Sequence, residues 1–266
     1  MDPVFADPDS YTRASHWLSV TGFALQVFGD FAGYSLMAIG VSRFLGIELP
    51  VNFNFPFLST SLPDLWRRWH ISLNRWLFDY IFTPLTTSVG WFRGRIQAGL
   101  LITFLASGLW HGASWTFVVW GLLHGLGMIV HYRWDEYYKR LCRRDRSYVK
   151  RRRSTAYRLV AWALTIGFFV VTLVPFRAPT AEVAWGFARA LVVSPGSQSI
   201  SVGPVALLAI GMIVGYHLVQ LPLLHRIRDG FFAMPSAIRG AAYGLAIASL
   251  VVLTPIGSGT FIYQQF

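Results

Sequence analysis

The sequence predicts an all-α, polytopic membrane protein: a helical bundle with interfacial and re-entrant helices. Three observations predict it. Of 266 residues, 54% are hydrophobic and 13% charged, with a mean hydropathy of +0.47, outside the usual balance of soluble domains. The apolar residues form long blocks, and 159–176, 202–224 and 240–263 contain no Asp, Glu, Lys or Arg. Each approaches the roughly 20 helical residues that cross a hydrocarbon core of about 30 Å. The blocks also lack the period-2 alternation of membrane strands, and lipid offers backbone groups no partners, so the spans are helices.

The first 16 residues place Asp2, Asp7 and Asp9 ahead of any apolar run, the reverse of a signal peptide, and no cleavable leader is expected. From Trp17 to Leu49 the chain is apolar except for Asp30, Arg43 and Glu48. Asp30 lies mid-run, where an ionisable group is costly, and reads as a buried carboxylate paired to an arginine or a hydroxyl. Pro50 to Pro63 is an irregular connector rich in Pro and Asn. It leads into Asp64–Tyr80, DLWRRWHISLNRWLFDY, with Leu65, Trp69, Leu73, Trp76, Leu77 and Tyr80 spaced by three or four. That spacing predicts an amphipathic interfacial helix with Arg67, Arg68, Asn74 and Arg75 mostly on its other face; Trp66 breaks the pattern.

Residues 96–132 carry no Asp, Glu, Lys or Arg over 37 positions, about 55 Å if wholly helical. One straight span would be too long, so a break is expected near Ser107–Trp115, SGLWHGASW, where Gly108 and Gly112 weaken the helix. Such a break puts His111 at depth inside protein. Residues 133–158 then hold 11 Lys and Arg against 3 acids, a net of +8, and read as a cytoplasmic loop that also contacts anionic lipid headgroups. This clustering is also why the overall +11 charge is not taken as a nucleic-acid signal. The 159–176 helix then runs outward, 202–224 returns, and 240–263 runs out again. Cys142 is the single cysteine, so neither an intrachain disulfide nor a Cys-based zinc site can form. The expected organisation is one membrane domain over residues 1–266.

Within the apolar part the residues able to move protons are Asp30, His70, His111, His124, His131 and His217. A neutral imidazole is a base near neutral pH. His124 reads as a structural hydrogen bond between helices. No G-x-S-x-G, H-E-x-x-H, P-loop or G-x-G-x-x-G occurs, which leaves serine-hydrolase, zincin and nucleotide-binding readings unsupported. The 13-residue spacing of His111 and His124 does not suit a metal, and none is expected.

Four stretches then carry a resemblance: Gln26–Phe57 (QVFGDFAGYSLMAIGVSRFLGIELPVNFNFPF), Leu65–Leu85 (LWRRWHISLNRWLFDYIFTPL), Leu105–Gly125 (LASGLWHGASWTFVVWGLLHG) and the terminal FIYQQF, 261–266. In this order they resemble the carboxy-terminal half of the membrane-bound O-acyltransferase (MBOAT) family, alginate O-acetyltransferase type, over residues 16–266. The resemblance implies a partial MBOAT core in a bacterial inner membrane. It implies His111 as the essential base, acting on an acceptor hydroxyl that attacks an acyl thioester, acetyl-CoA or another donor. His70 is the second site histidine, which positions substrate or polarises the carbonyl. Arg67, Arg68, Asn74, Arg75, Trp110 and Trp115 are implied to bind substrate, the arginines by holding an anionic donor. The implied partners are membrane lipid and either a polysaccharide acceptor or an extracytoplasmic protein that relays acyl groups. The chain departs from the family pattern at Leu36, Val51, Phe55, Thr86 and Thr87, and lacks the family's amino-terminal helices. A truncated, non-catalytic subunit is the alternative expectation.

Overall fold

The computed structural model describes residues 2–253 except 89, 195 and 220; the terminal FIYQQF and the outer part of the 240–263 block lie outside the described residues. Every regular element is helical: α1 (Asp2–Ala6), α2 (Arg13–Phe44), α3 (Leu62–Trp66), α4 (Ile71–Leu77), α5 (Thr83–Thr87), α6 (Ile96–His111), α7 (Trp115–Arg144), α8 (Ser147–Arg153), α9 (Thr155–Arg177), α10 (Ala181–Ala190), α11 (Pro204–Leu218), α12 (Leu221–Ala233) and α13 (Ser236–Leu253). They divide into two compact units, up to Ile200 and from Ser201 onward. Among the described residues α2, α7 and α9 are long and apolar enough to cross a membrane, and α11 with α12 adds a fourth span if that bent pair counts as one. The chain is an integral membrane protein.

Helix starts follow local chemistry. Thr12, Ser61, Ser114 and Ser154 cap α2, α3, α7 and α9, each side-chain oxygen accepting a backbone N–H of the first turn. The uncharged run breaks as expected: α6 ends at His111, α7 begins at Trp115, and Gly112 between them takes φ 155°. α6 and α7 then pack as a tight hairpin. A Cβ on Gly108 would lie 2.3 Å from the Phe117 carbonyl oxygen, and one on Gly121 would lie 2.4 Å from that of Phe104. Only glycine lets the two backbones approach this closely, the small-residue packing typical of membrane helices.

Three expectations are corrected. The amphipathic helix over Asp64–Tyr80 is not continuous: α3 stops at Trp66, the chain turns through Arg67–His70, α4 runs from Ile71, and a π turn follows at Phe78–Phe82. Trp66 spoiled the helical face because it and Trp69 are both core residues, 6% exposed, that pack on different partners, Phe104 and Trp120 for Trp66 and Phe53 and Phe169 for Trp69. The basic stretch 133–158 is not a loop but the end of α7, all of α8 and the start of α9. It is held by Asp135, which takes Arg152 at 2.6 Å and Lys139 at 2.8 Å. Asp30 is half-buried in α2 and meets no hydrogen-bond or ion-pair partner among the described residues, so it is not a paired structural carboxylate.

The connector before α3 is pinned by aromatic packing. Phe28 of α2, Phe53 and Phe57 of the connector, Trp69 and Phe169 of α9 form one cluster with ring centroids 4.9–6.4 Å apart, and the Trp162 indole donates to the Phe57 carbonyl at 2.7 Å. Trp66, packed on Phe104 of α6 at 5.2 Å and on Trp120 of α7 at 5.8 Å, sets the turn at Arg67–His70 beside the α6–α7 hairpin.

Candidate active site

His70 takes a left-handed backbone, φ 45° and ψ 54°, which costs a non-glycine residue energy and is concentrated at functional sites. The connector holds it there. Asn54 N–H donates to the Arg68 carbonyl at 2.9 Å, and Ile71 N–H donates to the Asn52 carbonyl at 3.0 Å, bracketing the turn. Phe55, with φ 46°, is the other non-glycine residue of this kind among the described residues.

The Asn52 side chain also fixes the state of the His70 ring. Its Oδ1 accepts from Ser72 N–H at 3.1 Å, so that atom is the oxygen, and the Nδ1 of His70, 3.3 Å away, must donate to it. Burial, and after it the charge of His111, push the His70 imidazole down to about 3, so the ring is neutral near pH 7. Its Nε2 is therefore a lone pair, buried and without a protein partner. Such an atom accepts a hydrogen bond but cannot donate one to a carbonyl. Of the two roles implied for His70, positioning substrate fits this tautomer and polarising a carbonyl does not.

His111 closes α6 and is 8% exposed. Its ring packs against Trp110 (4.9 Å), Trp120 (5.3 Å), Phe117 (6.0 Å) and Phe176 of α9 (4.8 Å). Trp110 also packs on His70 at 5.8 Å, so the two histidines flank one indole. His124, fully buried, bonds through Nε2 to Thr172 Oγ1 at 3.0 Å, the expected link between helices.

Two cavities, each of about 490 Å³, lie along α6. The first is lined by Arg67, His131, Asp135, Arg152, Tyr157 and Arg158 among others. The second is more apolar, lined by Trp66, Asn74, Arg75, Phe104 and Ser107 among others. They share Pro63, Arg67, Leu100 and Met128 and so form one cleft. Ile96, Leu100, Thr103, Phe104 and Ser107 lie on one face of α6, and His111 is the next residue on that face. Neither cavity includes His111 itself; Ser107, one turn earlier, is the inner limit. Among the described residues no three His, Cys, Asp or Glu side chains are grouped to hold a metal ion.

The implied binding residues thus separate. Arg67, Asn74 and Arg75 line the cleft, and Trp110 stands between the histidines. Arg68 is held elsewhere, its Nε on Asp64 at 2.9 Å and its Nη1 on the Asn54 carbonyl at 3.3 Å. Trp115 is 78% exposed at the start of α7 and lines neither cavity. Sequence reasoning missed Asn52, Ser107 and Trp120. The asparagines of the connector were visible, but nothing local showed that they reach His70.

The class that fold and site define is a multi-span helical membrane protein with two buried histidines flanking one indole next to a cleft. Comparison with known sequences gives the family: the model for the membrane-bound O-acyltransferase family matches residues 7–174, and the chain belongs to it. It is 37% identical over 180 residues to a peptidoglycan O-acetyltransferase of Helicobacter pylori, covering 66% of this chain and 31% of that protein. To a probable alginate O-acetylase of Azotobacter vinelandii it is 37% identical over 187 residues, covering 69% and 34%. To a teichoic acid D-alanyltransferase of Bacillus subtilis it is 37% identical over 131 residues, covering 46% and 33%. The chain spans about a third of the length of these curated relatives.

Proposed function

We propose that this chain carries the histidine centre of an O-acyltransferase in a bacterial inner membrane. The enzyme moves a short acyl group, acetyl, from a thioester donor to a hydroxyl of an exported polysaccharide. The observation that carries the reading is the α6 face whose earlier turns line the cleft and whose last residue is His111. The basic junction of α7, α8 and α9 faces the cytoplasm by the positive-inside rule, so the cleft opens to a cytoplasmic donor, acetyl-CoA or another thioester. Arg67 and Arg158 offer positive charge to an anionic donor at the mouth. The relatives named above act on peptidoglycan, alginate and teichoic acid, which supports a hydroxyl-bearing surface polymer as acceptor, reached directly or through an extracytoplasmic relay protein.

The chemistry uses the two histidines in turn. His70 Nε2 accepts a hydrogen bond from a second hydroxyl or N–H of the substrate and so orients it. His111 accepts the proton of the reacting hydroxyl as its oxygen attacks the thioester carbonyl, forming a C–O bond and a tetrahedral oxyanion. Collapse breaks the C–S bond, and the departing thiolate takes the proton from His111. A positioned base contributes about 10²- to 10⁴-fold. The test is polymer acylation in cells expressing His111→Ala, with membrane insertion confirmed. Loss of acyl groups is expected, and an unchanged acyl content overturns the reading.

A further inference from the structure

The oxyanion in this reaction needs hydrogen-bond donors, and none is assigned. Two side chains beside His111 are suited to that task. Ser107 lies four residues before His111 on the same face of α6, which brings their Cβ atoms to about 6 Å. It lines the inner end of the cleft and is 1% exposed, and its Oγ has no protein partner. Trp120, on the facing helix α7, packs its ring 5.3 Å from that of His111; it is 3% exposed and its Nε1–H is also unpartnered. A buried donor left without an acceptor is costly, and here two such donors neighbour the same histidine, Ser107 one turn before it and Trp120 against its ring. Both sit next to the glycines at which α6 and α7 meet, Gly108 following Ser107 and Gly121 following Trp120.

We infer that Ser107 Oγ–H and Trp120 Nε1–H form the oxyanion hole: they hold the thioester carbonyl oxygen as it acquires charge beside His111. This rests on the acyl-transfer reading and adds two catalytic residues to it. The indole is a donor only, and the serine hydroxyl can turn to donate, so both can serve an oxyanion. Preorganised donors in a site closed to water are strong contributors to rate, and loss of one costs about 10²- to 10³-fold in kcat.

The test separates this inference from the reading beneath it by measuring binding as well as turnover. Full-chain protein in detergent is titrated with two probes, acetyl-CoA and its trifluoroacetonyl thioether analogue, whose hydrated ketone mimics the tetrahedral oxyanion. The analogue in truncated pantetheine form removes any dependence on the nucleotide. Ser107→Ala is expected to weaken analogue binding by roughly 10- to 100-fold, with acetyl-CoA affinity and thermal stability held, and to lower kcat with KM held. Trp120→Phe, which keeps the aromatic packing, does the same, and Ser107→Thr restores part of the loss. Equal loss of both probes, no loss, or no binding of either analogue overturns the inference. If instead His111→Ala leaves transfer intact while Ser107→Ala selectively weakens the analogue, the base role of His111 falls and the oxyanion hole stands.

Discussion

The Oδ1 of Asn52 lies 3.3 Å from Nδ1 of His70 and already accepts from Ser72 N–H and Oγ–H at 3.1 and 3.0 Å, so it forces the ring proton onto Nδ1. The useful atom of His70, the Nε2 lone pair, is thus set by a residue 18 positions away in the connector. Asn52→Ala leaves the His70 and Ser72 donors unpaired and frees the ring to flip. A tenfold or greater fall in transfer is expected, with a stability loss of about 1–3 kcal/mol, read from initial rates and thermal melts.

Stability should depend on pH through His70. Its folded value is depressed to about 3 from an ordinary 6.5, so its contribution is fully present above pH 6.5 and is lost as pH falls toward 3. Melting temperature should decline across that window, and the decline should be shallower in His70→Gln, because a glutamine does not titrate. Identical slopes for the two proteins would remove His70 as the cause.

Arg67 and Arg68 are adjacent yet do different work. Arg67 lines both cavities, whereas Arg68 is tied to Asp64 and the Asn54 carbonyl. Arg67→Gln is expected to raise the donor KM severalfold with the melting point held. Arg68→Gln should lower the melting point through the loosened turn, with a smaller change in KM. Paired kinetic and melting measurements decide between these outcomes.

The α6–α7 hairpin depends on Gly108 and Gly121. Either residue changed to Ala must push the backbones apart, since the new Cβ would meet a carbonyl oxygen at 2.3 or 2.4 Å. A destabilisation of about 1–3 kcal/mol is expected, together with reduced transfer as His111 shifts against Trp120. Gly167, where a Cβ meets nothing within 4 Å, is the control position.

Much of this was legible in the sequence. The long uncharged run, with two glycines near His111, predicted a break near Ser107–Trp115, and the structure breaks at Gly112–Ser114. The His124 bond also followed from placing a histidine on an apolar face. The turn at His70 was hidden, because a three- or four-residue periodicity through Leu65, Trp69 and Leu73 cannot reveal that two tryptophans pack on different partners in the core. For a related reason the sequence does not reveal that Arg68 is tied to Asp64 and the Asn54 carbonyl, or that Trp115 stays exposed. Motif membership says that a residue is nearby, whereas its ion pair or its exposure is fixed by segments distant in sequence. The basic 133–158 segment was read as a loop because charge marks the membrane boundary and says nothing of helicity.

His111, one turn beyond the innermost cleft residue Ser107, is the proposed base. The direct measurement is the initial rate of radiolabelled acetyl transfer from acetyl-CoA to a hydroxyl acceptor in proteoliposomes, comparing the unmodified chain with His111→Ala at matched, correctly inserted protein. A fall of about 10²- to 10⁴-fold in kcat, with donor affinity retained, is the predicted result. A His111→Ala protein that transfers acetyl at the unmodified rate would contradict it.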